Sequence, residues 1–215
     1  SLISLMSFFA ASSSQAAVIN GGFENGFDGW DTIGTTDIQN PQGNNNEAIL
    51  SNDGNTFSDS DIENFLDLAN GSLDGLGNGD ATVGSAIKQT FTANAGDTVS
   101  FQWNFLTNEF TPDTAFNDFA FVSLKGLSEL ADTNSIFALS PTSFSEETGF
   151  QTFSTTISET GTYTLGLGVM NVGDTVVSSA LVVDGVQSVP EPLTGLGTLT
   201  AACFGFSLRR KRKVS

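Results

Sequence analysis

Between Val18 and Ser188 the sequence offers chemistry little besides carboxylates. All but Glu191 of the 24 acidic residues fall there, histidine is absent from the whole chain, and the one cysteine, Cys203, lies near the C-terminus. Ser–His and Cys–His nucleophile pairs, imidazole zinc sites and a histidine general base are thereby excluded. Thiol chemistry and disulfides are excluded from this segment as well. Two kinds of carboxylate chemistry remain: an acid–base pair of the glycosidase type, and hard-oxygen binding of a cation. So many acids supply accidental pairs freely, so the carboxylate-based glycoside hydrolase is the weaker reading and no enzyme is expected. Asn108-Glu109 and Asn117-Asp118 flank the loop 110–116, with Asp174 able to approach from a neighbouring turn. Glu109 and Asp118 could bind a cation there, and ordinary turn chemistry accounts for the same residues. Asp59-Ser60-Asp61-Ile62-Glu63 alternates acids like a calcium loop but lacks the glycine and terminal glutamate of an EF-hand, so helix capping explains it better.

Charge narrows the partners. Five of the seven basic residues lie at 209–213, which leaves Lys88 and Lys125 against 23 acids in 18–188 and a charge of −21 there. Phosphate backbones would be repelled by such a surface, so nucleic acid is not a partner. Cations would concentrate on it.

The elements that must position these carboxylates read as strands. Alternation marks 86–91, 98–105, 119–124, 150–157, 162–170 and 178–186, with Val99, Phe101, Trp103 and Phe105 on one face. Asn94-Ala95-Gly96-Asp97 and Glu159-Thr160-Gly161 are turns between them. No helical alternation intervenes, so the expected fold is all-β, an antiparallel β-sandwich of the jelly-roll kind. One segment departs from the pattern. Ser60 and Glu63 form a capping box ahead of Ile62, Phe65, Leu66 and Ala69, and Asn70-Gly71 stops the run. This predicts a short surface helix over about 61–69, within a Gly/Asp/Asn-rich insertion from Asn52 to Gly84. Trp30, Trp103 and Tyr163 are the candidate platforms for a sugar ring, and Trp103 alternates with apolar neighbours as a buried residue would.

The two ends are expected to be processing signals around a domain at 18–188. Residues 1–17 read as a signal peptide whose start is truncated, with an apolar core over Leu2–Ala11 and a small-x-small cleavage site at Ser14-Gln15-Ala16. At the other end, 189–215, Pro190-Glu191-Pro192 precedes an uncharged apolar run, Leu193–Leu208, and then Arg209-Arg210-Lys211-Arg212-Lys213. The prolines hold the chain extended and accessible. The apolar run is somewhat short of the ~20 residues that span a bilayer comfortably, and snorkelling Arg and Lys side chains can make up the difference. The basic cluster would keep the C-terminus inside. This order resembles the PEP-CTERM sorting signal recognised by exosortases in bacteria that make exopolysaccharide. The resemblance implies an exosortase partner, transient anchoring in the membrane through a C-terminal transmembrane helix, and delivery to the cell surface or extracellular matrix.

A second resemblance joins the ends of the domain. Asn20-Gly21-Gly22-Phe23-Glu24 with Gly29-Trp30, and Leu181-Val182-Val183-Asp184-Gly185-Val186, resemble the opening and closing strands of galactose-binding-like jelly rolls, carbohydrate-binding modules among them. In that family the first and last strands lie close together. The resemblance implies that Glu24 and Asp184 help hold a structural calcium ion (Ca2+) together with backbone carbonyls. The expected function is a non-catalytic surface or matrix protein that associates with exopolysaccharide. The alternative is a purely structural biofilm or envelope protein without a ligand site.

Overall fold

The structure, a computed structural model, describes residues 17–190 apart from 42 and 44. The expected signal peptide up to Ala16 and the sorting signal from Glu191 through Lys213 lie outside the described residues. Among the described residues no helix is long and apolar enough to cross a membrane.

In chain order the elements begin with β1 (Asp31–Ile33), β2 (Thr35–Gln39), β3 (Glu47–Ser51), β4 (Phe57–Ser58), α1 (Asp59–Phe65), β5 (Ala81–Ala93) and β6 (Thr98–Thr107). They continue with β7 (Phe119–Ser123), β8 (Leu127–Asp132), β9 (Ala138–Leu139), β10 (Glu146–Glu147), β11 (Gln151–Thr156), β12 (Gly161–Val172) and β13 (Ser179–Val189). One sheet runs β1-β5-β12-β7-β8, with β4 also on β5; the other runs β2-β3-β13-β6-β10-β9, with β11 also on β6. Every pairing is antiparallel. Successive long strands such as β5 and β6, or β12 and β13, fall in opposite sheets, as in a jelly roll.

Period-2 alternation explains why the two sheets face each other. Val99, Phe101, Trp103 and Phe105 all point inward from β6, and Ile87, Leu165, Leu167 and Val169 meet them from β5 and β12. Phe101 stacks on Phe153 of β11 with centroids 4.8 Å apart. The strands missed in the sequence, β1 to β4 and β8 to β10, are short. Strands of two to six residues hold too few positions for a period-2 pattern to stand out. β5 also starts at Ala81, inside the expected insertion.

The insertion is not a surface appendage. Its helix is Asp59–Phe65 rather than 61–69, and Ser58 rather than Ser60 is the N-cap, its hydroxyl accepting from Asp61 N at 3.2 Å. Ile62, Leu66 and Leu73 are buried against Phe119, Phe121 and Met170 on the outer face of the first sheet, forming a second core. Gly166 of β12 makes room for this: a Cβ there would lie 2.7 Å from Leu66 Cδ2 and 2.4 Å from Ser123 Oγ. Glu63 does not close a capping box. It is 1 % exposed, and its carboxylate accepts from Gly71 N and Leu73 N, both at 2.8 Å, so it pins the chain that folds back after the helix. Glu63→Ala would strand two backbone donors. It is expected to lower stability by about 2–4 kcal/mol, and Glu63→Gln by about half of that, because the amide keeps one acceptor. Urea denaturation of both variants checks the order.

Candidate functional site: an acidic corner and a polar trough on the open sheet

The opening residues form a loop held by its own side chains. Asn20 takes φ +48° and Phe23 φ +54°, a region that non-glycine residues enter only when the surroundings enforce it. Here Asn20 Nδ2 donates to Gly26 O at 2.9 Å and to Asp28 O at 3.1 Å, while Asn20 O accepts from Phe23 N at 3.1 Å and Trp30 Nε1 at 3.3 Å. The unusual backbone drives the Phe23 ring into the core, 5.3 Å from Trp30 and 6.0 Å from Phe27, and leaves Glu24 exposed at the rim.

The last strand meets this loop. Val186 N donates to Gly21 O at 2.9 Å. Between Asp184 and Gln187 the β13–β6 register slips by one residue, with Gly185 at φ +61°. This bulge lets Val186 enter the core while Asp184 and Gln187 stay on the outer face. The Asp184 carboxylate accepts from Gly185 N at 2.6 Å, and a Cβ on Gly22 would stand 3.8 Å from its Oδ1. Burial pushes the Asp184 carboxyl up, the Gly185 N–H opposes this, and the charge of Glu24 raises it further. Glu47, at the end of β3, is likewise pushed up by burial, with Gln39 opposing and Asp184 adding. The structure therefore brings Glu24 and Asp184 to one corner, as the sequence resemblance implied, and adds Glu47, which sequence reasoning missed. No signal marked Glu47, because only the β3–β13 pairing carries it there.

Hard oxygens fit a calcium ion in kind. Among the described residues, however, no group of three Asp or Glu side chains converges closely enough to hold a metal ion. Any ion at this corner would need main-chain carbonyls or water to complete its shell. The carbonyl of Glu24 lies on the same loop and is met by Asn46 Nδ2 at 3.4 Å, whereas Phe23 O already accepts from Gly26 N at 3.0 Å.

Asp184 also ends a trough. Asp184 pairs with Gln102 of β6, which pairs with Thr152 of β11, so the three form one row on the outer face of the second sheet. With Ser100, Gly185 and Gln187 they line a depression of about 350 Å³. Phe150, one residue before β11 and two before Thr152, is 49 % exposed. Further along the sheet, Phe144 covers Leu106, Ala180 and Val182. The rings expected as platforms lie elsewhere: Trp30 and Trp103 are 6 % and 8 % exposed and belong to the core, and Tyr163 packs against it. Their alternation with apolar neighbours carried that information for Trp103.

At one end of the sandwich the other two expected ligands lie near each other but in different surroundings. Asp118 is wholly buried, and its two oxygens receive three donors: Val172 N at 3.0 Å on Oδ1, and Asn52 Nδ2 and Ser179 Oγ, both at 2.8 Å, on Oδ2. Asn52 also donates to Asn171 Oδ1 at 2.9 Å and accepts from Ser179 N at 2.7 Å, tying the segment after β3 to the end of β12 and the start of β13. Burial raises the Asp118 carboxyl to about 7 against these three donors, and the charge of Glu109 adds to the rise. Glu109 is buried beside this hub, its carboxyl pushed up by burial and then by the charges of Asp174 and Asp113.

No protein-family model matches the chain, so the sorting-signal resemblance of 189–215 has no family match behind it. No curated protein matches it either. Solved structures do. TmCBM61, in complex with β-1,4-galactotriose, aligns with a TM-score of 0.43 at 13 % identity over 83 % of this chain and 100 % of that one. TmCBM27, a carbohydrate-binding module with specific mannan recognition, gives 0.41 at 12 % identity over 83 % and 98 %. The enzymatically active domain of bacteriophage CBA120 tailspike protein 4 gives 0.37 at 10 % over 80 % of this chain and 21 % of that one. These are likenesses of overall architecture, and the sandwich described above rests on this chain's own strand pairing.

Proposed function

We propose that this chain is a secreted, non-catalytic module that associates with polysaccharide through the outer face of its second sheet. One observation carries the reading. The insertion covers the outer face of the first sheet, while the second keeps an open trough of amides and hydroxyls, with the exposed Phe150 two residues before Thr152 in the chain. A sugar presents apolar C–H faces and a ring of hydroxyls. The Phe150 phenyl would supply a surface for the first, and Gln102, Gln187, Thr152 and Ser100 both donors and acceptors for the second. Calcium at Glu24 and Asp184 would fix the end of that trough, because Asp184 belongs to both. Export by the signal peptide and sorting by an exosortase, which rest on the sequence at 1–17 and 189–215, would deliver the module to the cell surface among exopolysaccharide. A purely structural matrix role is the second reading, favoured by the burial of both indole rings.

Co-sedimentation of the purified protein with the producer's exopolysaccharide, in calcium and in EDTA, tests the proposal. The protein should pellet in calcium and largely stay in solution in EDTA. Phe150→Ala and Gln102→Ala should each weaken binding, Phe150→Ala by about tenfold, the equivalent of about 1.4 kcal/mol. Folded protein that fails to pellet in either buffer would hand the chain to the structural reading. Phe150→Ala binding like the wild type would sink the trough.

A further inference from the structure

The loop end of the sandwich contains a carboxylate that its surroundings do not satisfy. Glu109 follows β6, and its N–H donates to Thr107 Oγ1 at 2.9 Å, so its backbone is fixed. It is 7 % exposed, and Oε1 is buried with no hydrogen-bond partner. Burial and the like charges of Asp174 and Asp113 push its carboxyl up, and only the Phe110 N–H opposes them. The neighbouring donors Asn52 Nδ2, Ser179 Oγ and Val172 N all point at Asp118 instead. A buried carboxylate oxygen left without a partner is unfavourable. Protonation would remove the charge, and a bound water would supply a hydrogen bond. A cation answers both needs at once.

The fold brings the necessary oxygens to this place. Asn108 N donates to Ser178 O at 3.0 Å, which sets the loop 108–118 beside the loop 173–178. They touch again where a Cβ on Gly173 would meet Ala115 O at 2.7 Å. Asp174 is anchored through its carbonyl, which accepts from Thr82 Oγ1 at 2.5 Å. Asp113 Oδ1 accepts from Ala115 N at 2.7 Å, and Asp174 Oδ1 from Val176 N at 3.2 Å. Each of these uses concerns Oδ1.

We propose that Glu109 and Asp174, with Asp113 at the rim, bind a divalent cation of the calcium type at this loop end, independently of the Glu24–Asp184 corner and of the trough. The donor set is all oxygen, which selects hard cations over zinc or copper. Among the described residues no three carboxylates converge closely enough to hold a metal ion. Loop carbonyls or water must therefore complete the shell, and calcium accepts such an irregular, mixed shell where magnesium demands a near-ideal octahedron. The ion would clamp two loops that also carry the exposed Phe110, Phe116 and Val176.

Calorimetric titration of the calcium-free protein with calcium chloride tests this, using wild type, Glu24→Gln/Asp184→Asn and Glu109→Gln/Asp174→Asn. Two ions should bind the wild type and one each variant pair. A Glu109→Gln/Asp174→Asn protein that binds as many ions as the wild type, or a Glu24→Gln/Asp184→Asn protein that binds none, overturns the proposal. Loss of the corner site fails in the opposite pattern, with the Glu24→Gln/Asp184→Asn protein binding like the wild type. Should the Glu109 variants not fold, limited proteolysis of the Glu24→Gln/Asp184→Asn protein decides. Calcium is expected to protect the loops 108–118 and 173–178, and equal cleavage with and without calcium refutes the site.

Discussion

Between about pH 5 and about pH 8, with a chelator present, the domain is expected to lose roughly 2–3 kcal/mol of stability through Asp118 alone. The folded carboxyl titrates at about 7 because burial outweighs its three donors, whereas an unfolded aspartate titrates near ~3.9. Below the unfolded value both states hold the proton and nothing is lost. Between the two values the unfolded chain releases a proton that the folded one keeps, so stability falls as pH rises and levels off above about 7. The hub can take up that proton without rebuilding: Ser179 Oγ and Thr107 Oγ1 are 2.9 Å apart and either can donate, so a protonated Asp118 can donate to Ser179, which turns toward Thr107. Asp118→Asn should lack this slope. It should also be less stable than wild type at pH 5 by about 1–3 kcal/mol, because an amide NH2 would oppose the Asn52 Nδ2 donor, which an oxygen of the protonated carboxyl still accepts. The two stability profiles should therefore converge toward pH 8. Glu47, Glu109, Glu129 and Asp184 are also raised, burial first in each case, but both proteins share them. Urea denaturation at several pH values measures the difference, and an equal slope in both proteins would show that the hub does not titrate.

Gly21→Ala is expected to cost about 3 kcal/mol or more and to abolish calcium-dependent stabilisation at the corner. A Cβ at this position would lie 1.8 Å from Val186 O and 2.7 Å from its carbonyl carbon. The obstacle is backbone, so no side-chain rotation relieves it; the opening loop must lift away from β13 and break the Val186 N to Gly21 O bond. Glu24 and Asp184 would then separate. Gly22→Ala provides the comparison, since its Cβ would meet nothing closer than Asp184 Oδ1 at 3.8 Å. That variant should keep both stability and any calcium response within about 0.5 kcal/mol. Thermal midpoints in calcium and in EDTA for the two variants check the contrast. Similar losses in both would mean that flexibility, rather than close approach, is what the glycines supply.

Much of the architecture was legible because alternation is a local property. Val99, Phe101, Trp103 and Phe105 announced an inward face, and the long strands around them were placed correctly to within a few residues. The helix was visible as a helix but misread as surface. Its apolar stripe looks the same whether it meets solvent-side neighbours or a sheet, and the space that receives it comes from Gly166, a hundred residues further on. Ser58 displaced Ser60 as cap because both hydroxyls lie within reach of the first turn, their Oγ atoms 3.0 Å apart, and only the backbone selects between them.

The sequence by itself determined the chemical repertoire. With no histidine and no cysteine outside the C-terminal stretch, only carboxylates, amides and hydroxyls remain, and composition cannot be altered by folding. The pairing of Glu24 with Asp184 was also legible, though only through a resemblance at both ends of the domain. Tertiary structure alone decided what each carboxylate experiences. Asp118 and Glu109 looked alike in the sequence, nine residues apart beside an asparagine each. In the fold, three donors converge on Asp118 and none reaches Glu109 Oε1, because donors from Asn52, Val172 and Ser179 arrive there along chain paths that no local pattern encodes. Burial and hydrogen bonding are sums over neighbours distant in sequence, so they exist only once the sheets have closed.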